Sequence, residues 1–432
     1  MSHGPVPAVP ACSVERLRAD FDRLAEFHDP ERPGWTRGAF SPFYAASRDW
    51  MASRMSAAGL TVRRDAVDNL IGTLPGARTD APALVTGSHT DTVEGGGRFD
   101  GIIGVLGALE AVRTLADAGI ALEHELRVVD FFNEEPNQFG LSCVGSRALV
   151  GEVTRKHLDL DDGAGETLRD ALARVGGSPD DLPEARWSGD DVAAFLELHI
   201  EQGPVLEHEG LPVAVVSAIA GIDRYRVEFT GRPDHAGATP MDYRYDASCA
   251  AAETVLAVER LAADEGTGVA TTGRIEIEPG APNVVPGRAR LWVEFRSGER
   301  EWLDDCGRGL HEAARAAAER RGVQADVHSL SASDPVAADT RIRELLERGN
   351  TRLGLPHRTM FSGAGHDAAH MARLAPMGML FVPSHGGRSH CPEEWTDLEQ
   401  VATGARALAQ GLVEVDRARR RDAAPGEDGT VL

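Results

Sequence analysis

The chain is short of three things. Positive charge is outweighed: of 432 residues, 45 are lysine or arginine against 68 aspartate or glutamate, a formal net charge of -23 at pH 7. That balance argues against nucleic acid or an anionic membrane surface as partner, since either calls for a basic patch. Long apolar runs are missing too, with nothing near the roughly 20 consecutive apolar residues of a membrane span. Residues 1–12 carry no basic region followed by an apolar core, so a cytoplasmic protein is expected. Cysteine is scarce: Cys12, Cys143, Cys249, Cys306 and Cys391 are odd in number, scattered and without a C-x-x-C pair, which excludes a disulfide framework as the expectation. Cys391 adjoins His390 but is set aside as a ligand.

What is present is ordinary globular composition, 42% hydrophobic and 26% charged, in a chain too long for one core. Two domains are expected, one inserted in the other. Residues 83–87 read as a short buried strand, followed at once by Ser88-His89-Thr90-Asp91-Thr92 and then Phe99-Asp100-Gly101. The carboxyl end of a strand is where α/β sheets place their chemistry. Asp100 stands before the apolar helical run 101–112, whose amino end favours a carboxylate. Residues 126–132 are a second buried-strand pattern, ending in Asn133-Glu134-Glu135. Residues 195–201 are a third: Leu196, Leu198 and Ile200 take one face and Glu197, His199 and Glu201 the other, with Gln202 just beyond.

Elsewhere, helices are predicted over 14–27, 43–58 (before Gly59) and within 163–183, and a strand pair over 62–74 around Asp68-Asn69. The run from Gly101 ends near Gly119. From Gly221 the texture changes to strand 224–229, helix 247–262, strands 273–278 and 289–296, helix 301–321 and strand 324–330. That β-α-β-β-α-β order is the ferredoxin-like split motif. Helix 340–353, a strand near 379–382 and helix 398–413 complete the first domain. Met371 and Met377 read as helical core, and 417–432 as a charged, disordered tail. The expected boundaries are 1–218 and 332–416 for an α/β domain with a mixed sheet flanked by helices, 219–331 for the inserted α+β domain, and 417–432 for the tail.

Five candidate ligands stand on separate loops: His89, Asp100, Glu135, His199 and His390. Each alone is weak, but all follow apolar strands at the same polarity, so the fold would gather them at one edge. Histidines with carboxylates suit zinc, manganese, cobalt or nickel. Two such ions about 4 Å apart would share a water, lower its pKa and polarise a carbonyl. Glu134, beside Glu135 but pointing the other way along an extended chain, is the natural general base.

The motifs Gly87-Ser-His-Thr-Asp-Thr92, Phe99-Asp-Gly101, Glu134-Glu135, Glu197-Leu-His-Ile-Glu-Gln-Gly-Pro204, His235-Ala-Gly-Ala-Thr-Pro-Met241, Pro282-Asn-Val-Val-Pro-Gly287, Ser362-Gly-Ala-Gly-His-Asp367 and Ser389-His390 with Glu393 resemble, in order and spacing, the hydantoinase/carbamoylase family of amidases, relatives of two-metal aminoacylases and carboxypeptidases. The likeness runs from about Leu60 to the last helix. It implies two divalent ions per chain, one held by His89, Asp100 and His199, the other by Asp100, Glu135 and His390. Asp91 would orient His89, and the Asp100-Gly101 peptide would be cis, at about 3 kcal/mol. The inserted domain would act as lid and dimerisation domain, with His235 donating to the oxyanion from the closing lid or a partner subunit. Asn283 and Arg296 would grip a substrate carboxylate, and Gln202 and His366 the amide or ureido head.

The implied reaction is hydrolysis of a linear amide, foremost the ureido group of an N-carbamoyl-L-amino acid, by a hydroxide bridging the metals. Allantoate, ureidoglycolate, a β-ureido acid, an acyl amino acid or a dipeptide are the alternative substrates. A non-catalytic, metal-stabilised binding protein is the reading from another class. A homodimer and a small carboxylate-bearing substrate are the expected partners. One loop departs from the pattern: where many relatives follow the glutamate pair with Gly, a small residue, Arg and Phe, this chain has Pro136-Asn137-Gln138-Phe139.

Overall fold

Apolar strands alternating with amphipathic helices bury both faces of a sheet only if helices cover each side. The computed structural model describes residues 6–263 and 267–423, with side chains to 419. Two compact units emerge: one comprises the chain up to Val216, Ala338–Met360 and the chain from His366 on; the other comprises Ser217–Ala337 and Phe361–Gly365. Fifteen strands are formed among the described residues: β1 (Thr61–Arg64), β2 (Leu70–Leu74), β3 (Ala83–His89), β4 (Leu126–Phe131), β5 (Val192–Ile200), β6 (Val213–Ile219), β7 (Gly221–Thr230), β8 (Asp234–His235), β9 (Gly268–Glu278), β10 (Val284–Val285), β11 (Arg288–Ser297), β12 (Gln324–Ala332), β13 (Val336–Ala337), β14 (His357–Ser362) and β15 (Met377–Val382).

The larger sheet runs β1-β2-β4-β3-β5-β15-β6-β13, with β14 also on β6. Its centre is parallel, β4 with β3, β3 with β5 and β5 with β15, whereas β2 joins β4 antiparallel. The carboxyl ends of four strands therefore open at one edge. Every residue of β3 and β5 is buried. Helices Ile102–Asp117 and Leu398–Ala423 belong to the main apolar cluster with Leu196, Leu198 and Ile200, each such side chain contributing about 1.5–3 kcal/mol on burial. The approach is close: a Cβ on Gly104 would stand 2.4 Å from the Ser88 Cβ and 2.6 Å from the Leu198 carbonyl oxygen. A smaller cluster, including Phe40, Tyr44, Phe132, Phe139 and Val144, packs the region around the β4 end.

The second unit is a four-stranded antiparallel sheet in the order β12-β7-β11-β9, the ferredoxin-like arrangement. Val227, Phe229, Leu291, Val293 and Phe295 are buried with residues of helices Ala247–Ala263 and Arg300–Arg321. β9 is an edge strand exposing Val269, Ile275 and Ile277. Beyond one end of this sheet lies the two-stranded ribbon β8–β10, with Val284 opposite His235.

Three expectations shift. The second unit extends past 331 to Ala337 because Val336 pairs with Ile219. The last helix continues from Leu398 to Ala423, past the expected 413. Buried Val415 and Asp416 extend its packed face, and Asp416 accepts the backbone N–H groups of Glu123 and His124 at 3.0–3.1 Å. Residues 417–423 of the expected tail are thus helical, and 424–432 lie outside the described residues. Met377 is buried but opens β15 rather than extending a helix; Pro376 before it bars helix continuation.

Candidate metal centre

His89 ends β3, and the loop after it is clamped from both sides. Fully buried Arg37 donates from Nε to the Thr90 carbonyl at 2.8 Å, while its backbone N–H reaches Thr92 Oγ1 at 2.8 Å. Thr90 Oγ1 is 3.0–3.1 Å from both Asp130 oxygens, and Asp130 in turn meets buried Arg48 at 3.1 Å. Asp91 faces two ways. His89 Nδ1 lies 3.1 Å from its carbonyl and 3.5 Å from its carboxylate, while its carboxylate oxygens accept the Glu134 and Glu135 N–H groups at 3.2 and 3.1 Å. Orienting His89 is thus half of what Asp91 does; it also fixes the glutamate pair.

Asp100 is positioned from the far end of the chain. Glu394 Oε1 accepts the N–H groups of Phe99 and Asp100 at 2.8 and 3.0 Å, and Ser389 Oγ donates to its other oxygen at 2.9 Å. The neighbouring Glu393, named with the sequence motif, instead pairs with Arg388 on the surface. The Asp100-Gly101 peptide is trans; among the described residues Glu278-Pro279 alone is cis. The turn is made by Gly101 at φ 66°, where a Cβ would lie 2.2 Å from His89 Nε2. A left-handed glycine supplies the sharp reversal without a cis bond. Asn133, Cys143, Gln202 and His390 are also left-handed, four of the five such non-glycine residues described. Strain of this kind concentrates where the surroundings over-determine a geometry.

The five expected ligands converge. Donor atoms of His89, Asp100 and His199 fall within 4.8 Å of one another, as do those of Asp100, Glu135 and His390, so Asp100 is common to both sets. His199 Nε2 is 3.2 Å from Asp100 Oδ1; His390 Nε2 is 2.9 Å from Asp100 Oδ2 and 3.6 Å from Glu135 Oε1. The tautomers suit ligation. Nδ1 of His199 faces the Ile200 carbonyl at 3.0 Å and Nδ1 of His89 faces Asp91, which assigns the proton to Nδ1 and turns each Nε2 to the site, that of His199 accepting the Gly101 N–H at 3.2 Å. Glu134 belongs to neither set, and its Oε2 is 3.6 Å from His89 Nε2.

The electrostatics of the crowded carboxylates favour a cation. Burial, then Asp100, pushes Glu135 up to about 8; burial, then Glu135 and Asp367, pushes Glu134 well above the carboxylate range, against the pull of His89. Divalent cations are what mixed imidazole and carboxylate donors in such a place accommodate. A third group, Glu197, His199 and His366, also clusters. Glu197 is already occupied by Ser88 Oγ at 2.7 Å and the Ala368 N–H at 3.2 Å, so it supports the site from beneath.

Of the expected substrate contacts, Gln202 Nε2 donates to both Asp100 oxygens at 3.1 Å, leaving its buried Oε1 as the open acceptor. His366 is buried with its ring 4.4 Å from that of His199. His235, Asn283 and Arg296 all lie in the second unit, where they separate into two groups. His235 and Asn283 are on the β8–β10 ribbon beyond the start of β11, whereas Arg296 is near that strand's finish. The eight residue steps from Arg288 to Arg296 alone span about 26 Å. His235 Nδ1 accepts the N–H groups of Gly237 and Ala238 at 3.1 Å, which puts its proton on exposed Nε2. Arg296 holds Glu294 at 2.6 Å and the Gly363 carbonyl at 2.9 Å. The departing loop Pro136-Asn137-Gln138 lines a cavity of about 490 Å³ that Asp91 and Glu135 also line and that Glu134, His199 and His390 do not.

Sequence reasoning missed Glu394, Cys143, Ser146 and Asp367. Cys143 Sγ lies 3.5 Å from Glu134 Oε1, and Ser146 Oγ donates to Asp367 Oδ1 at 2.5 Å. Ser362-Gly-Ala-Gly-His-Asp367 carried the only available signal, and there His366 drew attention away from its neighbour.

Residues 85–414 match the model of peptidase family M20/M25/M40. An N-carbamoyl-L-amino-acid amidohydrolase of Paenarthrobacter aurescens is 38% identical over 406 residues, 94% of this chain and 98% of that protein. A ureidoglycolate hydrolase of Arabidopsis thaliana is 38% identical over 92% of this chain and 86% of its own. The crystal structure of a hydantoinase/carbamoylase family amidase from Burkholderia multivorans superposes with TM-score 0.88 at 35% identity, covering 95% of this chain and 99% of that one. With candidate metal-ligand groups gathered at one sheet edge, the chain belongs to peptidase family M20/M25/M40 and is a hydrolase of carbon–nitrogen bonds in linear amides.

Proposed function

We propose that the chain hydrolyses the ureido group of an N-carbamoyl-L-amino acid to the amino acid, ammonia and carbon dioxide. The observation that carries the chemistry is the pair of donor sets sharing Asp100 with Glu134 beside them and in neither. His89, Asp100 and His199 would hold one divalent ion, and Asp100, Glu135 and His390 the other, as zinc, manganese, cobalt or nickel. When bound, such ions polarise a carbonyl and bring the pKa of water toward neutrality. Glu134 takes the proton of the attacking water and returns it to the leaving nitrogen. Asp91 keeps His89 and the glutamate pair in place. Gln202 Oε1 is a buried acceptor suited to a ureido N–H, with His366 alongside. His235, its proton on Nε2, is suited to donate to the developing oxyanion. Arg296 supplies a fork for the substrate carboxylate.

The separation of Asn283 and His235 from Arg296 supports a homodimer, because a small substrate cannot span some 26 Å of one strand. In this reading a carboxylate gripped by Arg296 of one protomer meets His235 and Asn283 of its partner. The exposed edge of β9 offers a pairing surface. We place the protein in the cytoplasm; none of the five cysteines forms a disulfide, and no described helix is long and apolar enough to cross a membrane.

A second reading, a ureidoglycolate or allantoate hydrolase, is favoured by the 38% identity to the Arabidopsis protein, equal to that of the carbamoyl amidohydrolase. Ammonia release from a panel of N-carbamoyl-L-amino acids, β-ureidopropionate, ureidoglycolate, allantoate and acetyl amino acids, with each metal added, tests the two. The highest kcat/KM on a carbamoyl amino acid supports the first; preference for ureidoglycolate or allantoate replaces it with the second.

A further inference from the structure

Glu134 is seated by one residue at two points. Its carbonyl accepts the Cys143 backbone N–H at 2.8 Å, and its side-chain Oε1 lies 3.5 Å from the Cys143 sulfur, within S–H hydrogen-bonding range. Its other carboxylate oxygen faces His89. Cys143 is 7% exposed and bears no disulfide.

Two local choices make sense only in this light. Cys143 precedes helix Val144–Leu149 at the position where serine, threonine, aspartate or asparagine normally caps the free N–H groups, yet its side chain makes no capping bond. It also has φ 53° and ψ 38°, a left-handed backbone that glycine or asparagine adopts at less cost. A residue that breaks both local rules, with its thiol turned to the base instead, is the pattern expected where function overrides propensity. The surroundings extend the same support. Three residues on, Ser146 Oγ donates to Asp367, whose second oxygen is buried without a hydrogen-bond partner. Burial, then Glu134 and Asp367, holds the Cys143 thiol well above its usual range, so it remains a donor.

We propose that Cys143 is a positioning residue for the general base: its S–H donates to Glu134 Oε1 and fixes the carboxylate so that Oε2 stays turned to the reacting water. This rests on Glu134 being the base. The thiol takes no covalent part in the reaction.

Cys143→Gly and Cys143→Ser test it, with Glu134→Gln in parallel. Glycine fits the left-handed backbone and removes only the side chain; serine keeps a donor of somewhat shorter reach. Each variant is loaded with manganese or zinc, its metal content and Tm are measured, and kcat and KM are determined on the best substrate of the panel. Cys143→Gly is expected to bind metal as the wild type does and to lose kcat about tenfold, the scale of one hydrogen bond to a charged group. KM should stay within about twofold, and Cys143→Ser should recover most of the loss. Wild-type kcat in Cys143→Gly overturns the proposal, as does an equal loss in both variants that tracks a lowered Tm. An active Glu134→Gln instead overturns the reading of the base, whatever the Cys143 variants do.

Discussion

The two units of the chain treat functional side chains in opposite ways. In the α/β unit, His89, Asp91, Asp100, Glu134, Glu135 and His199 are buried and His390 is exposed, and several are held from afar in sequence: Asp100 by Glu394, and the Glu134 and Glu135 N–H groups by Asp91. In the ferredoxin-like unit, His235 is exposed on the β8–β10 ribbon and Arg296 is half-buried near the far end of β11. The first arrangement is assembled within one chain, as preorganised charge stabilisation requires. The second, in the proposed function, supplies separate contacts to the substrate. On the proposed reading, chemistry sits at a parallel sheet edge and recognition is divided between two protomers.

The comparison breaks most visibly in mixed dimers. Glu134→Gln and His235→Ala, each nearly inactive alone, should regain up to about a quarter of wild-type activity after being unfolded, mixed and refolded together, since half of the dimers are then mixed and each carries one site with both residues intact. No recovery, with mixed dimers present by mass spectrometry, would put both residues to work in the same protomer. Arg296→Ala sharpens the recognition half. It should raise KM for a carboxylate substrate by roughly 10–150-fold, the value of a charge-assisted pair, with kcat changed far less. An equal fall in kcat alone would move Arg296 out of the carboxylate grip.

The smallest effect is one of stability. In metal-free protein, burial raises the Asp367 pKa from 3.8 to about 7. The folded state therefore holds that proton more tightly than the unfolded one, and stability falls as pH rises from about 4 through 7. Asparagine cannot ionise, so metal-free Asp367→Asn should match the wild type near pH 4 and exceed its Tm by roughly 4 °C at pH 8. A constant difference at all pH values would contradict the shift.

Much of the catalytic half was legible because it is written in short-range pattern. Apolar strands ending in His89, Glu134-Glu135 and His199 state both the element and its functional end, and the β-α-β-β-α-β order states the second unit. What was not legible depends on partners brought from afar. Between Cys391 and Asp397 no periodicity tells which glutamate turns inward, and it is Glu394 beneath Asp100, not Glu393. Cys143 looks like any scattered cysteine until the β4 end folds against it. The sharp turn at Gly101 is a backbone detail that composition leaves open between cis and left-handed trans. The helical extension to Ala423 follows from one buried acid, Asp416, meeting the Glu123 and His124 backbone almost 300 positions away.

The central claim is that Glu134 acts as base beside two donor sets to which it contributes nothing. Metal content by mass spectrometry and turnover, measured together on Glu134→Gln loaded with manganese or zinc, address it directly. The account predicts two ions per chain, as in the wild type, with turnover reduced at least about a thousandfold. Undiminished turnover, or the loss of an ion with the substitution, would contradict it.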